Sequence, residues 1–93
     1  MAKIIWSPES LDDIRLIHEY ISRDSIYQAN LFIDQVINKA DRLADFSDLG
    51  RIIPELNDSD KREIIIGNYR LMYKISINEV WITGIIHGKR HFP

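Results

Sequence analysis

The chain has 93 residues, of which 45% are hydrophobic and 28% are charged, the balance of an ordinary globular domain. It contains no cysteine, which excludes disulfides, thiolate metal sites and cysteine nucleophiles. No apolar run approaches the roughly 20 residues of a membrane span, and the first residues lack the apolar core of a signal peptide. We therefore expect a cytoplasmic protein of one domain, residues 1–93, with no membrane partner.

The net charge of −2 conceals an uneven distribution along the chain. Residues 1–50 carry 5 Lys and Arg against 9 Asp and Glu, whereas residues 51–93 carry 7 against 5. The isoelectric point of about 5.8 argues against a general nucleic-acid coat protein. A basic C-terminal part on an acidic chain predicts one positive face that could meet an anionic partner or substrate. On charge alone, an evenly solvated surface is an equally good interpretation.

The first 50 residues predict a strand and then two amphipathic helices. Residues 3–6 are β-branched and aromatic, which favours a strand. Ser7 suits a helix N-cap and Pro8 the first helical position, where its missing N–H costs nothing. Apolar residues then recur at steps of three and four in two segments separated by a short polar break. We expect a helical hairpin over about residues 8–46 that is ended by residues 47–50, where Gly50 is able to take the left-handed conformation.

After residue 50 the period of the apolar pattern changes from 3.6 to 2. Residues 51–56 predict a short extended piece, and strands are predicted at 62–66, 69–76 and 80–86. Short turns between them predict an antiparallel meander. The predicted fold class is α+β with the order β-α-α-β-β-β, in which the helical hairpin packs on one face of a small, mainly antiparallel sheet. The other face is expected to stay partly open.

Most aromatic side chains are expected in a small core. This set is Trp6, Phe32, Phe46, Tyr69 and Tyr73. Trp81 points away from Val80 and Ile82 in the predicted strand, so it could stack on a base or on a partner side chain, although core packing is favoured. His18 stands alone beside the apolar stripe of the first helix, where a packing or solvent role is expected.

The candidate functional residues are basic and lie in the C-terminal third. The set is Lys61, Arg62, Arg70, Lys74, His87, Lys89, Arg90 and His91. Neighbouring strands lie about 4.8 Å apart, so we expect these groups to converge on the open face. Arg and Lys stabilise the charge that grows on phosphorus during phosphodiester attack, and a His supplies acid–base chemistry. Docking of an acidic peptide, or protection of the sheet edge, explains the same pattern and is favoured by composition and spacing alone.

Several segments resemble the toxins of the RelE/ParE superfamily. They are residues 5–9 with 11–14, residues 43–51, residues 62–73 and residues 85–90, which together extend over essentially the whole chain. The resemblance implies the toxin of a bacterial type II toxin–antitoxin, or plasmid stabilisation, system. Such a toxin arrests growth until a cognate antitoxin neutralises it, and operator DNA is contacted through the antitoxin.

The superfamily has two mechanisms of toxicity. RelE-type members cut mRNA on the ribosome without a metal, and ParE-type members poison DNA gyrase. The long helical hairpin gives ParE-like action a slight preference. A third hypothesis is a non-toxic or decayed protein that only binds the antitoxin.

The resemblance to RelE-type enzymes assigns roles to the basic residues. Arg70, His87 and Arg90 are the predicted catalytic groups, with His87 or His91 as acid or base because no late tyrosine is present. The predicted target-binding residues are Lys61, Arg62, Lys74, Lys89 and His91. No metal and no other cofactor is predicted.

Overall fold

The structure, a computed structural model, describes residues 1–88 and contains two helices packed on one sheet. The elements are β1 (Lys3–Trp6), α1 (Pro8–Ser22), α2 (Ile26–Arg42), β2 (Arg51–Ile52), β3 (Lys61–Ile66), β4 (Tyr69–Ser76) and β5 (Glu79–His87). The strand order is β1-β5-β4-β3-β2, with β1 parallel to β5 and the other pairs antiparallel. The predicted α+β fold is confirmed, and the short strand β2 adds to it. No helix within residues 1–88 has the length and apolar character needed to span a bilayer.

Serine side chains start both helices, as the local sequence predicts. The Ser7 Oγ accepts a hydrogen bond from the Ser10 N–H at 3.1 Å, and Pro8 occupies the first turn of α1. The Ser25 Oγ accepts one from the Gln28 N–H at 3.1 Å at the start of α2. Each cap satisfies a backbone donor that the helix itself leaves unpaired.

The second helix ends at Arg42, earlier than the predicted end near residue 46. Beyond it the chain tightens into turns, in which the Ala44 N–H donates to the Asp41 carbonyl at 3.2 Å. Leu43 remains fully buried, but the tighter turns carry Phe46 away from the apolar face, and 58% of it is exposed. The expectation that Phe46 fills the core is therefore wrong.

The core lies between the helices and the sheet face that we call the helix face. Phe32 of α2 packs against Tyr69 of β4, with ring centroids 5.1 Å apart. The fully buried hydrophobic side chains of this core are Val36, Ala40, Leu43, Leu71, Tyr73, Val80 and Ile82. The strand β5 lies between β1 and β4, which explains why it is apolar at most positions. The opposite side of the sheet is called the open face below.

A β-bulge in β5 is held by α1. Met72 pairs with Gly84 and Tyr73 with Ile82, so Thr83 is the extra residue of β5. The Asp13 carboxylate on α1 accepts a hydrogen bond from the Ile85 N–H at 3.0 Å, just after the bulge. This bond joins the helix to the strand, a role that the sequence analysis did not assign to any carboxylate of the helices.

Gly50 is required for close packing and not for a left-handed backbone, so the sequence prediction for it is wrong. The glycine with a positive φ is Gly67, at 58°, in the turn between β3 and β4. The Gly50 N–H donates to the Tyr73 hydroxyl at 2.9 Å, and that hydroxyl donates to the Ser47 carbonyl at 2.7 Å. A Cβ on Gly50 would lie 2.5 Å from the Glu63 carbonyl oxygen.

Gly50→Ala is expected to destabilise the protein by about 1–3 kcal/mol, because the added methyl group overlaps a strand backbone that cannot move freely. The measurement is the free energy of unfolding by chemical denaturation. Gly67→Asn is the control, since nothing lies near its Cβ position and Asn tolerates a positive φ. An equal loss of stability in the two variants would contradict the packing explanation.

Burial raises the pKa of Tyr73 above its ordinary value of 10.0. The stabilisation from its neutral hydroxyl is therefore complete below the unfolded pKa and is lost as pH rises through the folded pKa. We expect Tyr73→Phe to lower stability at pH 8 by about 1–3 kcal/mol, because the Gly50 N–H and the Ser47 carbonyl lose their partner. We expect the same variant to lose less stability than the wild type between pH 8 and pH 11. Parallel pH profiles would refute this assignment, and exposed Tyr27→Phe serves as the control.

Candidate functional site

The guanidinium of Arg70 is bound by two carboxylates on the open face. Its Nε donates to Glu63 Oε1 at 2.6 Å, and its two terminal nitrogens donate to the two oxygens of Glu55 at 2.9 and 2.8 Å. The second oxygen of Glu63 accepts from Arg51 Nε at 2.7 Å. We call these four residues the ion-pair network.

The strand register brings the ion-pair network together. Arg51 of β2 lies directly opposite Glu63 of β3, and Arg70 of β4 lies opposite the residue two places further along β3. After β2 the chain turns sharply, with the Leu56 N–H bonded to the Ile53 carbonyl at 3.1 Å. This turn places Glu55 over the open face, where Ile53 is also buried. The predicted extended piece at 51–56 is thus a two-residue strand followed by a turn.

The ion-pair network is formally neutral, because it contains two Arg and two Glu side chains. Arg70 is 5% exposed and Glu63 is 1% exposed. Buried charges are tolerated only when they are paired, and here each buried ion has oppositely charged partners. The hydrogen bonds that Arg70 donates to Glu55 raise the pKa of Arg70 further, above its already high value. Arg70 therefore remains a cation whose charge is already balanced by carboxylates.

Two of the predicted site residues lie on the helix face, contrary to the expected convergence on the open face. Arg62 neighbours Ile64 in the alternation of β3, and its guanidinium donates to the carbonyls of Gly50 and Ser59, each at 3.0 Å. It thereby ties together the loops that precede β2 and β3. Side chains of neighbouring strand residues point to opposite faces, which separates Arg62 from Arg70.

His87 lies at the end of β5, beside a groove between α1 and the sheet. Its ring packs edge-to-face with that of Tyr69, with centroids 5.6 Å apart, and Asp13 and Tyr20 also line the groove. The groove has a volume of about 600 Å³. Among the described residues that line it there is no Lys or Arg, so this part of the chain places no cation there for a phosphate.

Lys61 and Lys74 do share the open face with Arg70. They are directly opposite each other on β3 and β4, and Trp81 of β5 lies opposite Lys74. We call Lys61, Lys74 and Trp81 the cross-sheet row. Trp81 is 38% exposed, so the favoured expectation of core packing for it is wrong.

The remaining candidates, Lys89, Arg90 and His91, lie outside the described residues. Within residues 1–88 no group of three or more His, Asp or Glu side chains is arranged to hold a metal ion. His18 hydrogen-bonds the Asn30 side chain at 3.0 Å between the helices, consistent with the role expected for it.

Sequence reasoning missed the acidic half of the site. Glu63 directly precedes three isoleucines in β3, and this pattern indicates a nearby cation. A carboxylate in an apolar strand needs a cationic partner because an unpaired buried charge is costly. That partner is identified only when the register with β4 is known. Glu55 had no comparable signal, because the turn after β2 places it over Arg70.

Comparisons with known proteins agree with this fold. Residues 4–92 match the family described as the ParE toxin of the type II toxin–antitoxin system, parDE. The chain belongs to this family and is a toxin component of a type II toxin–antitoxin module, so a cognate antitoxin is its partner. This confirms the RelE/ParE resemblance and is consistent with the ParE-like preference.

A solved structure has the same fold. It comes from the "Chromosomal ParDE TA system from P. aeruginosa", with a TM-score of 0.75 and 14% sequence identity. The alignment covers 94% of this chain and 96% of that one. At this identity the similarity shows the fold alone. A comparison with curated proteins gives no match.

Removal of Arg70 is expected to be a stability defect. Arg70→Ala removes the buried cation that Glu63 and Glu55 share and leaves buried Glu63 with the exposed Arg51, and it is expected to lower the free energy of unfolding by about 3–5 kcal/mol. Arg51→Ala, at the exposed end of the network, is expected to cost at most about 1 kcal/mol. Chemical denaturation of both variants tests this. A fully stable Arg70→Ala variant would show that the network does not hold the open face together.

Proposed function

We propose that this toxin acts by poisoning DNA gyrase and not by cleaving mRNA on the ribosome. The observation that carries the proposal is the binding of Arg70 by Glu63 and Glu55 at 2.6–2.9 Å. A nuclease would need this guanidinium to face the scissile phosphate. Turning it towards a phosphate would break its bonds to Glu63, a carboxylate that is 1% exposed, and the fold would be weakened.

The separation of the candidate catalytic groups supports the same proposal. Arg70 lies on the open face, and His87 lies on the helix face beside Tyr69. General acid–base catalysis needs the proton-transferring group within about 3 Å of the reacting atom, directly or through one water. Two groups on opposite faces of one sheet do not meet at one phosphodiester. Membership of the ParE toxin family adds independent support, since the ParE-type branch is the one that poisons gyrase.

In this proposal the protein works in the cytoplasm and forms two alternative complexes. The free toxin binds gyrase, and the cognate antitoxin covers the toxin and prevents this. Operator DNA is contacted by the antitoxin part of the complex. The basic residues of the C-terminal third would then recognise proteins and would not perform chemistry.

The test combines two assays with purified toxin. We expect inhibition of DNA supercoiling by gyrase and accumulation of cleaved DNA, together with intact mRNA in a translation reaction with ribosomes. Addition of the antitoxin is the control and should restore supercoiling.

Pulse labelling after induced expression provides the matching test in cells. We expect thymidine incorporation to fall before methionine incorporation. An earlier fall in methionine incorporation with cut mRNA would overturn the proposal and return Arg70, His87 and Arg90 to the role of catalytic groups. Normal growth with soluble toxin present would instead indicate a non-toxic protein that only binds the antitoxin.

A further inference from the structure

A cationic concavity lies at the edge of the sheet, between the last turn of α2 and the short strand β2. It has a volume of about 310 Å³. Lys39 and Arg42 line it from α2, and Arg51 lines it from β2. Among the described residues of its wall the one carboxylate is that of Glu63, and apolar residues of β3 and of the loop before β2 complete the wall. We call this space the edge concavity.

The carboxylate of Glu63 does not neutralise these cations. One of its oxygens accepts a hydrogen bond from Arg51 at 2.7 Å and the other accepts one from Arg70 at 2.6 Å, within the neutral ion-pair network. Lys39 and Arg42 form no ion pair within residues 1–88. Basic residues in a last turn suit the helix dipole, but the dipole does not explain why they share a concavity with Arg51. The edge concavity therefore holds two cations that lack an ion pair in the described part of the chain.

The strand edge beside these cations adds a backbone donor. β2 pairs with β3 opposite Arg62 and Glu63, so within residues 1–88 no strand covers this edge at Ile65. On this side of β3 the Lys61 carbonyl accepts a hydrogen bond from the Ile53 N–H at 3.0 Å. Alternate residues of a strand direct their backbone groups to the same side, so the Ile65 N–H also points to this edge. Ile65 lines the edge concavity, which places that N–H beside the three cations.

We propose that the edge concavity binds a phosphoryl group through Lys39, Arg42, Arg51 and the Ile65 N–H. All four offer donors to a ligand, whereas both oxygens of Glu63 are already occupied by guanidinium groups. The site therefore selects an anion with several acceptors. A phosphoryl group presents three strong acceptor oxygens in different directions, which suits donors that come from a helix, a neighbouring strand and a strand edge.

The DNA backbone is the source of phosphoryl groups that fits the proposed function. A toxin that makes gyrase accumulate cleaved DNA acts on a complex in which the enzyme holds a duplex, and the phosphodiesters of that duplex carry the charge that the edge concavity binds. The net charge of −2 opposes binding of this chain to DNA in general, so contact is expected where gyrase presents the duplex. This assignment to DNA rests on the proposed function, whereas the phosphoryl site itself does not.

The first experiment titrates the full-length toxin with inorganic pyrophosphate and follows backbone amide shifts by NMR. We expect a saturable shift of the Ile65 amide. Arg42→Gln should weaken pyrophosphate binding by about 10-fold, because it removes a charge-assisted hydrogen bond. Arg23→Gln is the matched control: it makes the same change beyond the opposite end of α2, where Arg23 lies over the Tyr20 ring, and its Kd should stay within about twofold of the wild-type value.

Lys39→Gln is a second variant that tests the same site with Arg42 in place, and unfolding curves show whether each variant is folded. We expect it to weaken pyrophosphate binding as well. Absence of a saturable shift at Ile65 in the wild type overturns the site. Wild-type affinity in folded Arg42→Gln and Lys39→Gln also overturns it.

The second experiment distinguishes DNA from a free phosphate compound by measuring cleaved DNA in a reaction with gyrase. If the DNA backbone occupies the edge concavity, Arg42→Gln should need about 10-fold more toxin for the same amount of cleaved DNA, and Arg23→Gln should not. Full potency of Arg42→Gln together with weakened pyrophosphate binding supports the site and assigns it to a free phosphate compound. A wild-type toxin that binds pyrophosphate at Ile65 without inhibiting gyrase supports the site and rejects the proposed function.

Discussion

The ion pair between Arg70 and Glu63 is the constraint on which the open face depends. A carboxylate that is 1% exposed in the middle of a sheet is stable only with a cation beside it, and Arg70 supplies that cation from the adjacent strand. A shift in register between β3 and β4 would separate the pair, so the pair favours one alignment. The second oxygen of Glu63 then accepts a hydrogen bond from Arg51 on β2, and the terminal nitrogens of Arg70 donate to Glu55 in the following turn.

This arrangement divides the open face into two parts with different properties. Among residues 1–88, the part around Arg70 is covered and its ion pairs balance in charge, and the part around the cross-sheet row carries two lysines, of which Lys74 is exposed. His87 and Arg62 belong to the other face, where Arg62 holds loop carbonyls and His87 borders a groove against α1. Within residues 1–88, the basic side chains of the C-terminal third are therefore dispersed over separate surfaces and do not converge on one face.

The sequence predicted well those features that are set by local interactions. The strand β1, both helix starts and the three later strands follow from caps, periodicity and turns within a few residues of each other. The end of α2 was placed too late, because the tightening after Arg42 does not break the apolar pattern. The function of Gly50 was misassigned because its neighbours, a strand carbonyl and the Tyr73 hydroxyl, are distant in sequence.

The candidate site was predicted less well than the fold, for a physical reason. Whether two cations meet depends on which face each side chain occupies and on what covers that face. Alternation puts Arg62 and Arg70 on opposite sides, and the turn that carries Glu55 covers one of them. To predict either feature, one must know the register between strands that are distant in the sequence. A single sequence does not state that register explicitly.

The parallel pairing of β1 with β5 has a consequence for biosynthesis. Residues 3–6 are synthesised long before their hydrogen-bonding partners, residues 79–82. The first strand therefore cannot join the sheet until residues 79–82 have been synthesised, and its apolar side chains lack their final packing until then. The fold of the toxin is therefore completed only after β5 has been synthesised.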